Sequence, residues 1–182
     1  MHVVVGTERR PATEAEAKAL ASAIRLRILR MCLEQPLTNR EIAGRLAANP
    51  ATTLHHVRKL VDTGFLAPQP VRRGARGSRE IPYLATRKSW TLDLADYRGD
   101  RSMIDAFVQE VALVDPTDQV VATRLGLRLT GQEYEELVHR VSELLDEYAG
   151  RPPSSGGRPY SVFLAIHPDP SREADLRPPV AS

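Results

Sequence analysis

The sequence predicts an α+β chain: three helices and a β-hairpin in the front half, then a small strand–helix–strand unit. Three observations carry this expectation. Apolar residues recur at helical spacing across Glu14–Glu34, and start and stop signals frame two short helices between Thr38 and Gly64. The charge balance also reverses along the chain. Residues 1–98 carry 17 Lys and Arg against 9 Asp and Glu, a net +8, whereas residues 99–182 carry 8 against 14, a net −6. A basic front and an acidic back point to a polyanion-binding module joined to something else. The expected boundaries are 10–92 for the first domain, 100–167 for the second and 168–182 for a proline-rich, disordered tail.

Composition narrows the class. The 182 residues are 42% hydrophobic and 26% charged, ordinary for a globular protein. No apolar run approaches the roughly 18 residues of a membrane helix, and HVVV at the start is too short for a signal-peptide core. The expectation is a cytoplasmic protein with no membrane association. The single cysteine, Cys32, excludes an intrachain disulfide and any cysteine-cluster metal site within one subunit. Nine aromatic residues leave little for a base-stacking platform.

The first helix is predicted over Glu14–Glu34. Ala17, Leu20, Ala21, Ile24, Ile28, Met31 and Cys32 make one apolar stripe, and Leu26, Leu29 and Leu33 make a second on the opposite side. Two apolar faces imply two packing partners: the helix's own domain, and either the back half or a second subunit. Gln35-Pro36 ends the helix. Thr38-Asn39-Arg40-Glu41 then reads as a capping box, flanked by Leu37 and Ile42 as a hydrophobic staple. Asn49 as N-cap with Pro50 at the first helical position starts a third helix, which Gly64 stops. Two short helices joined by Ala47-Ala48 give a helix-turn-helix arrangement. After it, Phe65–Ala67 and Glu80–Leu84 flank an arginine- and glycine-rich tip, a β-hairpin whose Pro68, Pro70 and Pro82 suggest edge strands.

The back half reads as a helix from Ser102–Asp105 to about Val114, an alternating strand Arg124–Leu129, a capping box at Thr130–Glu133 opening a helix to Gly150, and a covered strand Tyr160–His167. A strand, helix and strand so joined should be parallel with a right-handed crossover. Two strands alone are marginal.

The chemistry lies on the third helix. Leu54, Val57, Leu60 and Val61 share its core face, while Thr52, His55, His56, Lys59 and Thr63 share the opposite one. Hydroxyl, imidazole and ammonium groups on a face with only Asp62 at its flank suit phosphate oxygens and base edges in a major groove. The hairpin adds Arg72, Arg73, Arg76 and Arg79, suited to phosphates or a narrow minor groove.

The stretch ALASAIRLRILRMCLEQPLTNREIAGRLAANPATTLHHVRKLVDTGFL, followed by a basic hairpin, resembles the winged helix-turn-helix domain of ArsR-type bacterial transcriptional regulators over about residues 14–90. HHVRKLVDTGFL is the most specific part, and RRGARGSREIPYLATRKSW is similar to actinobacterial members with an extended C-terminal domain. The resemblance implies a homodimeric cytoplasmic regulator, acting as a repressor, on pseudo-palindromic duplex DNA. It implies DNA contacts from Thr38, Asn39, Arg40, Asn49, Thr52, Thr53, His55, His56, Lys59 and the four hairpin arginines. Leu26, Leu29, Leu33, Trp90, Phe107, Tyr134 and Tyr148 are the candidates for a dimer or effector surface, the effector being a small organic molecule.

The sequence departs from the family's metal sensors. TNREIAGRLA stands where those carry cysteines, and Ser102–Val114 holds no histidine. No metal and no cofactor are therefore expected. No P-loop, Gly-x-Ser-x-Gly, His-Glu-x-x-His or dinucleotide fingerprint nominates an enzyme. The competing readings are a metal-responsive regulator and a winged-helix module that binds protein.

Overall fold

A computed structural model describes residues 9–74, 77–93, 101–118 and 120–173. The chain divides into two compact units, Met1–Pro116 and Thr117–Ser182.

In the first unit, strand β1 (Arg10–Pro11) leads into helix α1 (Glu14–Leu20), opened by a capping box between Thr13 and Glu16. The single helix expected to Glu34 is broken at Ala21-Ser22, where Ser22 is extended (φ −164°, ψ 118°), and α2 runs over Ala23–Met31. Arg25 caps the break. Its side chain folds back and donates to the carbonyls of Ala19 (2.5 Å) and Lys18 (2.6 Å), supplying partners that the end of α1 would otherwise lack. Strand β2 (Leu37–Thr38) and helices α3 (Asn39–Arg45) and α4 (Pro50–Asp62) follow the predicted signals.

Strands β3 (Leu66–Pro68), β4 (Arg72–Arg73), β5 (Arg79–Glu80) and β6 (Pro82–Ala85) form the hairpin region. The edge-strand expectation fails for β6, which is the middle strand of an antiparallel β2–β6–β3 sheet. Pro82 is tolerated there because it is the first residue of the strand, where its carbonyl still accepts from the Gln69 amide at 2.8 Å. Beyond this sheet, β4 and β5 pair separately as the wing, with Arg72 opposite Glu80 and Arg73 opposite Arg79. A 3₁₀ turn, Lys88–Thr91, and strand β7 (Leu92–Asp93) bring the chain back to pair in parallel with β1.

Ile28, Cys32, Ile42, Val57, Leu60, Phe65 and Leu66 fill the core. Burial pushes the Cys32 thiol up to about 12, so it packs as a small hydrophobe. The last helix of this unit, α5 (Ser102–Val111), packs along α2, with Arg30 on Glu110 at 3.0 Å and Arg27 on Gln109 at 3.3 Å. The second apolar stripe of the first helix thus meets cover within the same chain: Leu29 is buried, and Leu26 and Leu33 are partly so.

In the second unit the predicted helix forms as α6 (Gly131–Gly150), opened by the Thr130–Glu133 box. The flanking segments Arg124–Leu129 and Tyr160–His167 do not pair as strands among the described residues. A lone strand pair is marginal in water. One helical turn, α7 (Pro170–Glu173), occupies part of the expected tail; residues 174–182 lie outside the described residues. The α+β class stands, with its sheets in the first unit.

Candidate nucleic-acid interface

The helix pair is assembled from its caps. The Thr38 hydroxyl accepts from the Glu41 amide (3.3 Å), while the Glu41 carboxylate accepts from the Thr38 amide (2.8 Å) and hydroxyl (2.9 Å). Asn39 reaches across the turn and donates from Nδ2 to the Pro50 carbonyl at 2.9 Å, tying α3 to the start of α4. Asn49 accepts from the Ala51 amide at 2.8 Å. Thr38, Asn39 and Asn49 thus hold the helices, and of the predicted contacts in this part only Arg40 is a free exposed cation among the described residues.

Of the predicted core face of α4, Val57 and Leu60 are fully buried, whereas Leu54 and Val61 are half-buried. Thr53, counted among the contact residues, is fully buried too, and its hydroxyl donates to the Asn49 carbonyl at 3.0 Å. It faces inward because it lies one turn before Val57 on the packed side. Thr52 and His55 are exposed and Lys59 is half-buried. His56 is half-buried as well; its ring stands edge-on to His55, and its buried Nδ1 has no hydrogen-bond partner. Burial, then the nearby Arg25 and His55, lower its pKa and favour the neutral ring. Arg58, absent from the predicted contacts, is also exposed. Its position beside the core face in a helical projection hid it, although its long side chain carries the charge clear of that face.

The far end of α4 is anchored by a network that the sequence did not reveal. Glu16, 6% exposed, is gripped by Arg10 through two hydrogen bonds (2.9 and 2.6 Å), by Lys88 at 2.7 Å and by the Thr13 amide at 2.8 Å. Arg10, then Lys88 and Thr13, hold its carboxyl far below the usual carboxylate range. Lys88 also donates to the Thr63 carbonyl at 2.6 Å, just beyond α4, and its ammonium lies 5.2 Å from the centre of the Phe65 ring. The arrival of Lys88 from some seventy residues away is not legible in the local sequence around Glu16.

On the wing, Arg72 pairs with Glu41 at 2.6 Å, which ties the hairpin to α3. Arg73 and Arg79 are exposed and directly opposite each other across the strand pair. Like charges in that position repel. Arg76 lies outside the described residues. The surface thus consists of an exposed α4 face, a cationic wing tip and tightly capped supports.

Of the candidate dimer or effector residues, Leu29 is in the core, Phe107 is half-buried on α5, and Trp90, Tyr134 and Tyr148 are exposed. Leu29, Trp90 and Phe107 belong to the first unit, Tyr134 and Tyr148 to the second. Among the described residues no group of three or more His, Cys, Asp and Glu side chains is placed to hold a metal ion, and no helix is long and apolar enough to cross a membrane.

Residues 22–67 match the family described as bacterial regulatory protein, arsR family. Several solved structures are similar to the chain. Reduced HlyU from Vibrio cholerae N16961 is 25% identical, with 47% of this chain and 86% of that one covered and a TM-score of 0.34. The homodimeric winged helix-turn-helix DNA-binding domain of Mb0332 from Mycobacterium bovis, a possible ArsR-family transcriptional regulator, is 24% identical, covering 52% and 72% with a TM-score of 0.32. An ArsR-like transcriptional regulator from Rhodococcus sp. RHA1 is 19% identical, covering 54% and 90% with a TM-score of 0.34. No curated protein matches the sequence.

Proposed function

From the arsR-family helix-turn-helix that residues 22–67 carry, we infer that this chain is a DNA-binding transcriptional regulator and not an enzyme. The observation that carries the reading is the cationic surface built on that segment. Thr52, His55 and Lys59 lie on the outer side of α4, and beside the helix pair a wing sets Arg73 against Arg79. A phosphate between two opposed guanidiniums turns their repulsion into attraction, so this wing is most stable against a polyanion.

In the proposed complex α4 enters the major groove while Arg73, Arg76 and Arg79 meet backbone or minor groove. Two copies present their α4 helices about 34–36 Å apart on a pseudo-palindromic operator. A homodimer is supported by the apolar surface of the second unit. From Val120 to Ile166, thirteen large hydrophobic residues are exposed, among them Val121, Leu125, Tyr160 and Val162. A standard interface takes roughly 800 Å² from each partner, and its buried centre is made of apolar side chains of this kind. Repression by occlusion of a promoter, in the cytoplasm and without a metal at cysteine or histidine sites, completes the proposal.

The test is fluorescence anisotropy with duplex DNA from upstream of the coding sequence. Affinity should fall steeply with salt, and Lys59→Ala should weaken binding to all sequences while lowering the salt slope by about 1. Binding that ignores salt, or an unchanged slope in Lys59→Ala, would overturn the assignment. Sedimentation at micromolar concentration should show a dimer.

A further inference from the structure

Within the first unit, Arg27, Arg30 and Met31 of α2, Arg45 at the end of α3, Glu110 of α5 and Leu113 just beyond it line a cleft of about 270 Å³. Its charges do not balance. Glu110 neutralises Arg30 at 3.0 Å. Arg27 meets only the neutral amide of Gln109, at 3.3 Å. Arg45 meets the amide of Gln35, whose oxygen, turned toward it, lies 3.1 and 2.9 Å from the guanidinium nitrogens. Glu41, one turn before Arg45, is engaged by Thr38 and Arg72. Among the described residues, then, two guanidiniums face the cleft without a carboxylate partner.

Helix ends account for part of this arrangement, since Arg30 and Arg45 lie in the last turns of α2 and α3 and complement the helix dipoles. Arg27 stands in the middle of α2, where no dipole calls for it. We propose that this cleft binds a small organic anion, a carboxylate or phosphate monoester whose acidic group lies on Arg27 and Arg45 and whose apolar body rests on Met31 and Leu113. Guanidinium forks match both anions in a bidentate way, and a groove of this size has room for a small aromatic acid rather than a larger ligand.

The site has a route to the DNA surface. Arg45 ends α3, which the Asn39–Pro50 clamp joins to α4, whereas Arg27 and Glu110 belong to the α2–α5 pair. An anion that draws Arg45 toward α2 favours one placement of α3, and any difference in ligand affinity between placements appears as a change in operator affinity. That effect rests on the regulator reading; anion binding itself does not, and it is read without DNA.

The experiment uses the full chain with benzoate, phenyl phosphate and uncharged benzamide, followed by thermal shift and calorimetry. Benzoate or phenyl phosphate should bind and raise the melting temperature, and benzamide should do neither. In R27Q/R45Q binding should weaken at least tenfold while ligand-free DNA affinity and its salt slope stay unchanged; R27K, which keeps charge but loses the fork, should fall between. Equal binding of benzamide, or anion binding retained in the double variant, would overturn the proposal. A reduced salt slope in R27Q/R45Q would show instead that these guanidiniums meet DNA phosphates.

Discussion

Helices α3 and α6 begin in the same way. Thr38 and Glu41 exchange amide hydrogen bonds at 3.3 and 2.8 Å, and Thr130 and Glu133 do so at the same distances. In both, the threonine amide holds the glutamate below the usual carboxylate range. Beyond this first turn the two diverge. Ile42 and Ala43 of α3 are buried, whereas α6, nearly three times as long, buries no residue. Caps decide where a helix starts, but a core requires facing elements. In the first unit α2, α4 and the sheet provide them; the second unit has one long helix between two unpaired segments.

The largest expected effect tests the first half of this contrast. Phe65→Ala removes the largest fully buried side chain and should cost about 3–5 kcal/mol in urea unfolding. A loss under about 1 kcal/mol would mean that the first unit is no better packed than the second. Next comes the anchor of α1. Glu16→Ala leaves Lys88 and Arg10 without their shared carboxylate and should cost on the order of 2 kcal/mol, discounted for the half-exposed Arg10. Because folding lowers the Glu16 pKa, its contribution is complete above the ordinary glutamate range and is lost as pH falls below it. The wild type should therefore lose more stability than Glu16→Ala between pH 5 and pH 3, and parallel pH profiles would refute the network's role.

The matched caps give the most direct comparison. Thr38→Ala should cost about 1–2 kcal/mol in cooperative unfolding, since Thr38 is buried where β2 meets α3. Thr130→Ala should cost about 0.5–1 kcal/mol, seen as local fraying of α6 in amide exchange. Equal cooperative losses would place α6 in a core of its own. The smallest effect concerns the wing: Arg79→Glu replaces a repulsive cross-strand pair with an attractive one and should stabilise the hairpin by about 0.2–1 kcal/mol. The same variant should bind DNA more weakly, and a parallel gain in both would contradict the assigned role of the wing.

Local signals were therefore legible and distant ones were not. The boxes at Thr38 and Thr130, the Asn49-Pro50 start, and Gly64 in the left-handed region (φ 74°) could be read from neighbouring residues. The apolar period continued through Ala21-Ser22, so the break that Arg25 caps was invisible. Alternation in Arg124–Leu129 told which side of a strand would be apolar, and the apolar run Tyr160–His167 read as a covered strand, but neither pattern could provide neighbouring strands. On the candidate interface, His55 and Lys59 followed from helical spacing. The inward turn of Thr53 and the partial burial of His56 depended on how α4 is seated, which spacing alone leaves open by part of a turn.

The burial of Cys32 has a practical use. Its thiol, fully enclosed and pushed up to about 12, is almost wholly protonated at neutral pH and shielded from alkylating reagents. A cysteine introduced at exposed Arg73 or Tyr148 would then be the fast-reacting site for a maleimide fluorophore. The natural sequence thus serves as an unlabelled background for resonance energy transfer, with one dye reporting on the wing tip and another on α6.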